Sequence, residues 1–267
     1  MIMLDGQIED CYLEVMINVS LWDADFIPFY VCHVKKNEPE KSLDDCKALV
    51  DDIIVNINNA TMADEYQLYV TVGKCFRYNV YPEYKANRKY TTVVKHIFET
   101  KQYLIDQYKA FIHIGLEADD LVCINKQRLT EKGYKCTIIS PDKDILNLEG
   151  RHYNPRGNNW VNTTKQDAEL YFWKSMITGD TVDNLPGIKG IGEVGACKLL
   201  DNKQIDIFKS YRSAVFDKYC EVYGEEYGIA MFYKMYNCLK MVHTFEVEIP
   251  ELIKLKTEIS EEEKLFG

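Results

Sequence analysis

The stretch ADDLVCINKQRLTEKGYKCTIISPDKD, residues 118–144, decides the fold class. Its first part predicts a helix over 118–132 that ends at Gly133, because glycine is common just past a helix C-terminus. The apolar run KCTIIS at 135–140 then predicts a strand, and acidic residues follow it directly. A helix that leads straight into a strand is typical of an α/β fold with a parallel sheet.

The same alternation runs through the first 160 residues. Strands are predicted near 15–22, 66–72, 151–153 and 159–161, and helices over 41–56 and 165–178. After residue 164 the pattern is helical, apart from a glycine-rich loop. We therefore expect an α/β protein with a mostly parallel central sheet flanked by helices over residues 1–163, followed by a helical region over 164–267.

Length and composition place the chain among globular proteins. It has 267 residues, of which 46% are hydrophobic and 28% charged, which is enough for a sizeable core. No apolar run approaches the roughly 20 residues of a membrane span, and the acidic N-terminus lacks the features of a secretory signal. Nine scattered cysteines without a C-x-x-C pair predict reduced thiols. We expect a cytoplasmic location (the host cytoplasm for a viral protein) and no membrane partner.

The net charge of −10 is unevenly distributed. Residues 1–65 hold 14 acidic and 4 basic side chains, so the remainder of the chain is neutral. Within that remainder, residues 74–101 carry seven basic side chains against two acidic ones, with tyrosines interleaved. This mixture predicts a surface that attracts phosphates and stacks on nucleic-acid bases. A solvated helix face with extended lysine side chains is the alternative interpretation.

Acidic residues form four clusters that follow strands or lie at helix ends: Asp23 and Asp25; Glu117, Asp119 and Asp120; Asp142 and Asp144; Asp180 and Asp183. In a parallel sheet, ligands bind beyond the carboxyl ends of strands, so two of these clusters are predicted to converge there. Carboxylates in a small volume repel each other unless cations neutralise them, and oxygen ligands without His or Cys suit Mg²⁺ or Mn²⁺. Two such ions roughly 4 Å apart can activate water and stabilise the leaving oxygen of a phosphodiester. Helix capping or solvation explains any single cluster, but not four.

The loop GIKGIG at 187–192 gives a second signal. A glycine hairpin ahead of a helix presents backbone N–H groups to a phosphate, and glycine permits the left-handed turn that this requires. Ile188 and Ile191 are predicted to hold the loop against the core. Because the loop begins four residues after Asp183, it links phosphate binding to the predicted metal site.

Four segments, in this order along the chain, resemble the 5′-nuclease superfamily, which includes flap endonucleases, bacteriophage 5′-exonucleases and phage-type ribonuclease H enzymes. The segments are YPEYKANRK (81–89), GLEADD (115–120), SPDKD (140–144) and GDTVDNLPGIKGIGEVGACKLL (179–200). The resemblance implies a PIN-like 5′-nuclease core with a basic arch-like segment at about 74–105. It also implies a helix–hairpin–helix DNA-binding module at 187–200.

The resemblance implies a role for each matching residue. The metal ligands would be Asp23, Glu117, Asp119, Asp120, Asp142, Asp144, Asp180 and Asp183, and the cofactor two ions of Mg²⁺ or Mn²⁺. The catalytic residues would be Asp23, Lys85 and Arg88, with Lys85 stabilising charge that develops at the scissile phosphate. The residues implied in DNA binding are Arg77, Tyr84, Lys85, Arg88, Lys89, Gly187, Ile188, Lys189, Gly190, Ile191 and Gly192. The hairpin would grip the duplex backbone with the help of a bound K⁺.

Three features depart from the family pattern. An aspartate is expected at the end of the second core strand, where this sequence has Thr71-Val72-Gly73, so one ligand of the first metal is missing. Either Asp25 compensates as a ligand, or the first metal binds loosely. The stretch 88–117 is short for an arch through which a free 5′ end threads, and residues 1–15 form an extension ahead of the fold.

We therefore expect a monomeric, metal-dependent 5′-nuclease of bacteriophage type that acts in replication or repair. It would hydrolyse DNA, or RNA in an RNA/DNA hybrid, at 5′ ends, flaps or nicks, with branched or nicked duplex as its partner.

Two other functions are open at this point. A haloacid-dehalogenase-like phosphohydrolase would use Asp23 as nucleophile and Asp25 as general acid, but it leaves the basic segment and the glycine hairpin without a role. A catalytically weak, structure-selective DNA-binding protein is suggested by the missing aspartate.

Overall fold

The computed structural model describes residues 16–34, 38–90, 94–200 and 211–243. Its five main strands are β1 (Asn18–Asp23), β2 (Glu65–Tyr69), β3 (Lys135–Ile139), β4 (Gly150–Asn154) and β5 (Asn159–Thr163). They form one sheet in the order β2-β1-β3-β4-β5. The first four strands pair in parallel, and β5 returns antiparallel to β4.

The carboxyl ends of three neighbouring strands lie at the same edge of this sheet. Asp23 of β1 pairs with Tyr69 of β2, and Trp22 of β1 pairs with Ile139 of β3. Because the three strands are parallel, the polar residues that follow them come together at this edge. The sheet register therefore places the acidic clusters that follow β1 and β3 at this edge of the sheet.

Nine helices and several short elements complete the fold within the described ranges. The helices are α1 (Phe26–Cys32), α2 (Leu43–Thr61), α3 (Arg77–Val80), α4 (Ile97–Tyr108), α5 (Ala118–Glu131), α6 (Lys165–Thr178), α7 (Glu193–Leu200), α8 (Tyr211–Tyr223) and α9 (Glu225–Leu239). Short 3₁₀ turns occupy Ala86–Tyr90 and Lys143–Asn147, and the two-residue strands β6 (Gly179–Asp180) and β7 (Leu185–Pro186) pair antiparallel. None of the helices in these ranges has the length and apolarity needed to cross a membrane.

Helices cover both faces of the sheet. Leu21 and Ile138 belong to one apolar cluster together with residues of α5. Trp22 and Ile139 belong to a second cluster, together with residues of α1, α2 and α4. Neighbouring residues of a strand point to opposite faces, so a short apolar run contributes to both cores. A strand buried on both faces explains why four consecutive residues of β1 are buried.

Helices α6 to α9 share a third core that is rich in aromatic side chains. Phe232 of α9 packs edge to face on Phe216 and Tyr219 of α8, with ring centroids 5.1 and 5.7 Å apart. Cys75 and Tyr84, which belong to the predicted basic segment, are buried in the same cluster. The helical region therefore packs directly against the segment that carries Lys85.

The predicted fold class is confirmed: a mostly parallel sheet lies between helices, and helices follow it along the chain. The helix expected over 41–56 spans Leu43–Thr61 instead, because Ser42 caps it in a reciprocal capping box with Asp45. The strand expected over 66–72 ends at Tyr69, and the strand expected near 15–22 begins at Asn18. Residues 1–15, 201–210 and 244–267 of the predicted ranges lie outside the described residues.

Three helices are absent from the sequence prediction: α1, α3 and α4. α1 begins three residues after β1 and carries Pro28 in its first turn, where proline is tolerated although it usually signals an end to helix. α4 lies in the predicted arch-like segment, which is thus not one element. That segment consists of α3, a turn that carries Lys85, the 3₁₀ turn at Ala86–Tyr90 and α4.

Candidate active site

A cavity of about 550 Å³ opens at the carboxyl edge of the sheet. Eight of the nine predicted metal-binding acids line it: Asp23, Asp25, Glu117, Asp119, Asp142, Asp144, Asp180 and Asp183. Asp23 ends β1, whereas Glu117 is the N-cap residue of α5. The acids of the last two clusters lie just after β3 and around β6. Elements far apart in sequence thus place their acidic residues around one space.

One side of this cavity is acidic. Among the described residues, five of its carboxylates have no Lys, Arg or His partner within 4.0 Å: Asp23, Asp119, Asp142, Asp144 and Asp180. Their oxygens accept only weaker, neutral hydrogen bonds, such as those from the Ser140 hydroxyl to Asp23 (3.1 Å) and from the Tyr171 hydroxyl to Asp144 (3.0 Å). The sequence gives no signal for Tyr171, whereas Ser140 and the cavity-lining Glu193 lie within the matching segments but have no predicted role.

Crowding of these carboxylates raises their proton affinity. Burial, and then the charges of Asp25 and Asp142, raise the pKa of Asp23 to about 7. Burial, and then Asp142 and Asp180, raise the pKa of Asp144 to about 6. Burial and Asp120 hold the pKa of Asp119 well above its ordinary value. Buried carboxylates that are crowded in this way favour the binding of a nearby cation, because the cation would remove the repulsion between them.

The oxygen-rich donor set fits a hard divalent cation, because carboxylates without nitrogen or sulfur are typical ligands of Mg²⁺ and Mn²⁺. Within the described ranges, however, no three His, Cys, Asp or Glu side chains converge closely enough to hold one ion together. The acids surround the cavity rather than forming a closed cage, and ligation by several of them would require their side chains to turn inward.

The cavity also has a basic side. The Lys85 ammonium contacts Glu117 in a short ion pair and lies 3.5 Å from Asp183. Arg88 pairs with the other oxygen of Asp183. The Tyr84 hydroxyl shares its one proton between both acids, with its oxygen 2.8 Å from Glu117 and 3.0 Å from Asp183. Lys85 and Arg88, the predicted catalytic cations, therefore line the same cavity as the unpaired carboxylates.

These contacts fix the charge states on the basic side. Burial alone would raise the pKa of Glu117, but Lys85 and Arg77 lower it to about 2. Burial opposes the charge of Lys85, yet Glu117 and Asp183 raise the pKa of its ammonium above the ordinary value. Lys85 is therefore protonated throughout the physiological range.

Main-chain hydrogen bonds tie the basic turn to the loop after α6. The Lys85 N–H donates to the Asp183 carbonyl at 2.9 Å, with Lys85 in the left-handed region at φ 54°. The Asn87 amide donates to the Thr181 carbonyl at 2.9 Å, and the Asn184 amide donates to the Glu83 carbonyl at 2.7 Å. Lys85 is thus held by a connection between the two parts of the fold.

Arg77 and Asp120 bind each other in the interior of the fold, which argues against two predicted roles. The Arg77 side chain is 2% exposed, so it cannot reach a DNA backbone. Its guanidinium donates to both oxygens of Asp120, at 2.6 and 2.8 Å, and to the Cys238 carbonyl at 2.8 Å. Asp120 is fully buried and lies outside the cavity wall. Its carboxylate is therefore occupied by Arg77 rather than turned toward a metal site.

Tyr84 also differs from its predicted DNA-binding role. It is 3% exposed and its ring belongs to the aromatic core, so it cannot stack on a base at the surface. The structure instead makes it a hydrogen-bond donor to two acids of the cavity. The side chain of Lys89, also predicted to bind DNA, lies outside the described part of the chain.

The end of β2 shows what replaces the missing aspartate. Thr71, and not Val72, lines the cavity at this position. Asp25 also lines the cavity, but its carboxylate accepts the Thr71 N–H and pairs with Lys101 of α4 at 2.7 Å. Asp25 thus has a cationic partner, unlike Asp23, and this argues against its predicted role as a compensating ligand.

The glycine hairpin lies between α6 and α7 and is packed tightly. The Ile188 N–H donates to the Ile177 carbonyl at 2.7 Å, and Ile188 is buried in the core of the helical region, as the sequence predicts. A Cβ at Gly187 would lie 2.3 Å from the Ile177 carbonyl oxygen, so only glycine fits. Gly190 adopts the left-handed region at φ 82°, whereas Lys189 and Gly192 are exposed. Of the predicted hairpin contacts, Ile188 is thus a core residue rather than a surface contact.

Comparisons with known proteins agree with this geometry. A family model described as 5′-3′ exonuclease, N-terminal resolvase-like domain, matches residues 39–170. The 5′-3′ exonuclease of Aquifex aeolicus is 30% identical over 55% of this chain and 56% of that protein, and the flap endonuclease Xni of Colwellia psychrerythraea is 31% identical over 48% of each. Over about half of its length, the chain is therefore similar to 5′-nucleases.

The structural similarity extends beyond the segment matched in sequence. A bacteriophage T5 protein co-crystallised with metal ions superposes with a TM-score of 0.63, at 19% identity, over 91% of this chain and 98% of that one. The T5 5′-exonuclease with divalent metal ions (zinc) bound gives a TM-score of 0.61 at 20% identity, over 90% and 89% of the two chains. Likeness at such low identity concerns the fold, and it supports a PIN-like core with C-terminal helices.

The chain spans about half the length of the two curated nucleases that it matches. It covers 19% of the DNA polymerase I of Chloroflexus aurantiacus, to which it is 31% identical over 187 residues.

Proposed function

We propose that this chain is a metal-dependent 5′-nuclease that hydrolyses phosphodiester bonds of DNA at 5′ ends, flaps or nicks. One observation carries the proposal: five unpaired carboxylates and the Lys85–Arg88 cations line a single cavity. That arrangement suits a phosphodiester, whose charged oxygens need cations on both sides during hydrolysis. The names of the relatives, a 5′-3′ exonuclease and a flap endonuclease, support the same function.

The acidic side would hold the cofactor, two ions of Mg²⁺ or Mn²⁺. Asp142, Asp144 and Asp180 would hold one ion, and Asp23 and Asp119 the other. Bound there, divalent ions supply an activated water and stabilise the leaving oxygen. The T5 5′-exonuclease, a protein of the same fold that binds divalent zinc ions, supports this choice of cofactor class.

The basic side would bind and polarise the scissile phosphate. Lys85 keeps its proton and is held in place through its own N–H, so its ammonium can stabilise charge that develops on the phosphate without first reorganising. Arg88 is half exposed beside it and can contact the same phosphate group or its neighbour. Glu117 and Asp183, which pair with these cations, would orient them rather than act alone.

The helical region would bind the duplex. The hairpin at 187–192 would contact the phosphate backbone through its N–H groups and Lys189, with a K⁺ ion at the turn. We also propose that residues 1–163 form the nuclease core and 164–267 the duplex-binding region, and that the protein acts as a cytoplasmic monomer. Branched or nicked DNA, or an RNA/DNA hybrid, would be the partner. A T5 flap endonuclease solved with DNA and metal ions supports the choice of nucleic acid.

A labelled 5′ flap and a nicked duplex, each with Mg²⁺ and with Mn²⁺, test this function directly. Asp142→Asn is expected to lower cleavage by about 100-fold or more, because it removes a carboxylate from the acidic side. Lys85→Ala should lower cleavage by a similar factor of about 100 through lost stabilisation of the phosphate. Both variants should keep duplex affinity, which is measured by fluorescence anisotropy.

The matched control is Asp52→Asn, an exposed acid on α2 far from the cavity in the fold. It should cleave at the unsubstituted rate. Unchanged turnover in both site variants would overturn the site assignment, and binding of the flap without cleavage in either metal would instead indicate a structure-selective DNA-binding protein.

The phosphohydrolase alternative is disfavoured by the same geometry. In that mechanism Asp25 must donate a proton to the leaving group. Here the Asp25 carboxylate is occupied by the Lys101 ammonium and the Thr71 N–H, so it is not placed to act on a leaving group. The basic side of the cavity would also have no function in that mechanism.

A further inference from the structure

A lysine ammonium lies beside the end of β2, at the place where the sequence lacks the expected aspartate. Lys101 lies on α4, the helix after the basic turn, and its ammonium donates to Asp25 Oδ1 at 2.7 Å and to the Thr71 carbonyl at 2.8 Å. The Thr71 N–H donates to both oxygens of Asp25, at 3.1 and 3.2 Å. These three groups form a closed ring of hydrogen bonds beside the cavity.

The ring is connected to the acids of α5. The Thr71 hydroxyl accepts the N–H of Ala118 at 2.9 Å, and Ala118 lies between two cavity acids, Glu117 and Asp119. Lys101 is 20% exposed and Asp25 29% exposed, so the pair is largely removed from solvent and weakly screened. Asp25, the partner of Lys101, lies two residues after Asp23 and lines the same cavity.

We propose that the Lys101 ammonium substitutes for a divalent cation at Asp25, so that Asp25 does not ligate metal and the first-metal side binds its ion weakly. Lys101 is a positioning residue: it sets the net charge available to the ion and holds Thr71 against the start of α5. This inference rests on the proposed function only in that it assumes divalent ions bind among the carboxylates.

The proposal predicts that replacement of Lys101 changes the affinity for metal in a definite direction. Replacing it with methionine frees a carboxylate that already lines the cavity, so an ion beside Asp23 gains a ligand and loses a repelling charge. The gain in Mn²⁺ affinity should be on the order of tenfold, since a unit charge within about 10 Å of a divalent ion in a partly buried site has at least that effect.

The experiment measures Mn²⁺ binding to the full chain without nucleic acid, from the loss of the free-ion signal in electron paramagnetic resonance. Lys101→Met is expected to bind the weaker ion more tightly, and Lys101→Arg, which keeps the charge, should match the unsubstituted chain. Lys95→Met is the control, because Lys95 forms an exposed pair with Glu40 away from the cavity. Thermal unfolding in EDTA separates a simple loss of stability from the change in binding.

The double variant Asp25→Asn with Lys101→Met completes the test. If the pair is neutral toward the ion, the double variant should return to the unsubstituted affinity, within about twofold. A double variant that binds Mn²⁺ as weakly as Asp25→Asn alone would overturn the proposal, because Asp25 would then be a ligand. Unchanged binding in Lys101→Met would overturn it as well. The chain could show the expected Mn²⁺ affinities in all of these variants and still cut no DNA. That result would refute the proposed nuclease function but would support the inference about Lys101.

Discussion

Replacement of Asp120 by asparagine tests whether this acid serves the fold or a metal. The variant leaves the Arg77 guanidinium buried, at 2% exposure, without the carboxylate that binds it through two hydrogen bonds of 2.6 and 2.8 Å. Loss of one partner from a buried ion pair costs about 3 to 5 kcal/mol. Glu117 remains at 3.1 Å from Arg77 and keeps part of the compensation, so we expect a loss of about 3 kcal/mol in the free energy of unfolding.

Urea unfolding followed by circular dichroism in EDTA measures this loss in the absence of metal. For a chain of this size the change corresponds to a fall of roughly 6 to 12 °C in Tm. Glu221→Gln is the control, because it breaks an exposed pair with Lys218 and should cost less than about 1 kcal/mol. If Asp120→Asn costs less than that control and yet abolishes Mn²⁺ binding, Asp120 is a metal ligand and the reasoning from burial is wrong.

Two further predictions concern pH and the hairpin. The pKa of Asp23 is raised to about 7 and that of Asp144 to about 6. Between about pH 4 and 7 the folded state therefore binds protons that the unfolded state has released. In EDTA, the free energy of unfolding should fall as the pH rises through this range. Urea titrations across that range measure the slope, which added Mn²⁺ should flatten; a rise with pH would contradict the assignment. Gly187→Ala should lower the free energy of unfolding by more than about 2 kcal/mol, because its Cβ meets main-chain atoms at 2.3 Å. Gly192→Ala, with no atom within 4 Å of its Cβ, should change it little, and equal effects would show that the close packing at Gly187 is not the cause.

The sequence predicts the acidic half of the site well because local rules place it. Asp23 follows an apolar strand and Glu117 precedes a helix, and parallel pairing of β1 with its neighbours then brings these ends together. A few consecutive residues are enough to recognise the alternating pattern of a strand or the first residues of a helix. The convergence of eight acids on one cavity depends largely on such positions, and the structure shows it.

The partners of each acid depend instead on contacts between distant segments. In the sequence, Arg77 looks like a DNA-binding residue within a basic segment. Packing of α3 against α9 instead buries its side chain, which forms an ion pair with Asp120, 43 residues away. Lys101 likewise meets Asp25 across 76 residues, through the docking of α4 on the sheet. No local spacing shows which cation of the basic segment is exposed and which is paired, so the roles of these residues could not be assigned from sequence.

The hydrogen bonds between the basic turn and the loop after α6 have a mechanical consequence. Lys85 and Asn87 of the turn donate to main-chain carbonyls of that loop, and Asn184 of the loop donates to the Glu83 carbonyl of the turn. The loop continues into the hairpin within a few residues. Under the proposed function, a bend in a duplex bound at the hairpin would therefore act on the turn that carries Lys85, and so on the position of its ammonium relative to the bond to be cut.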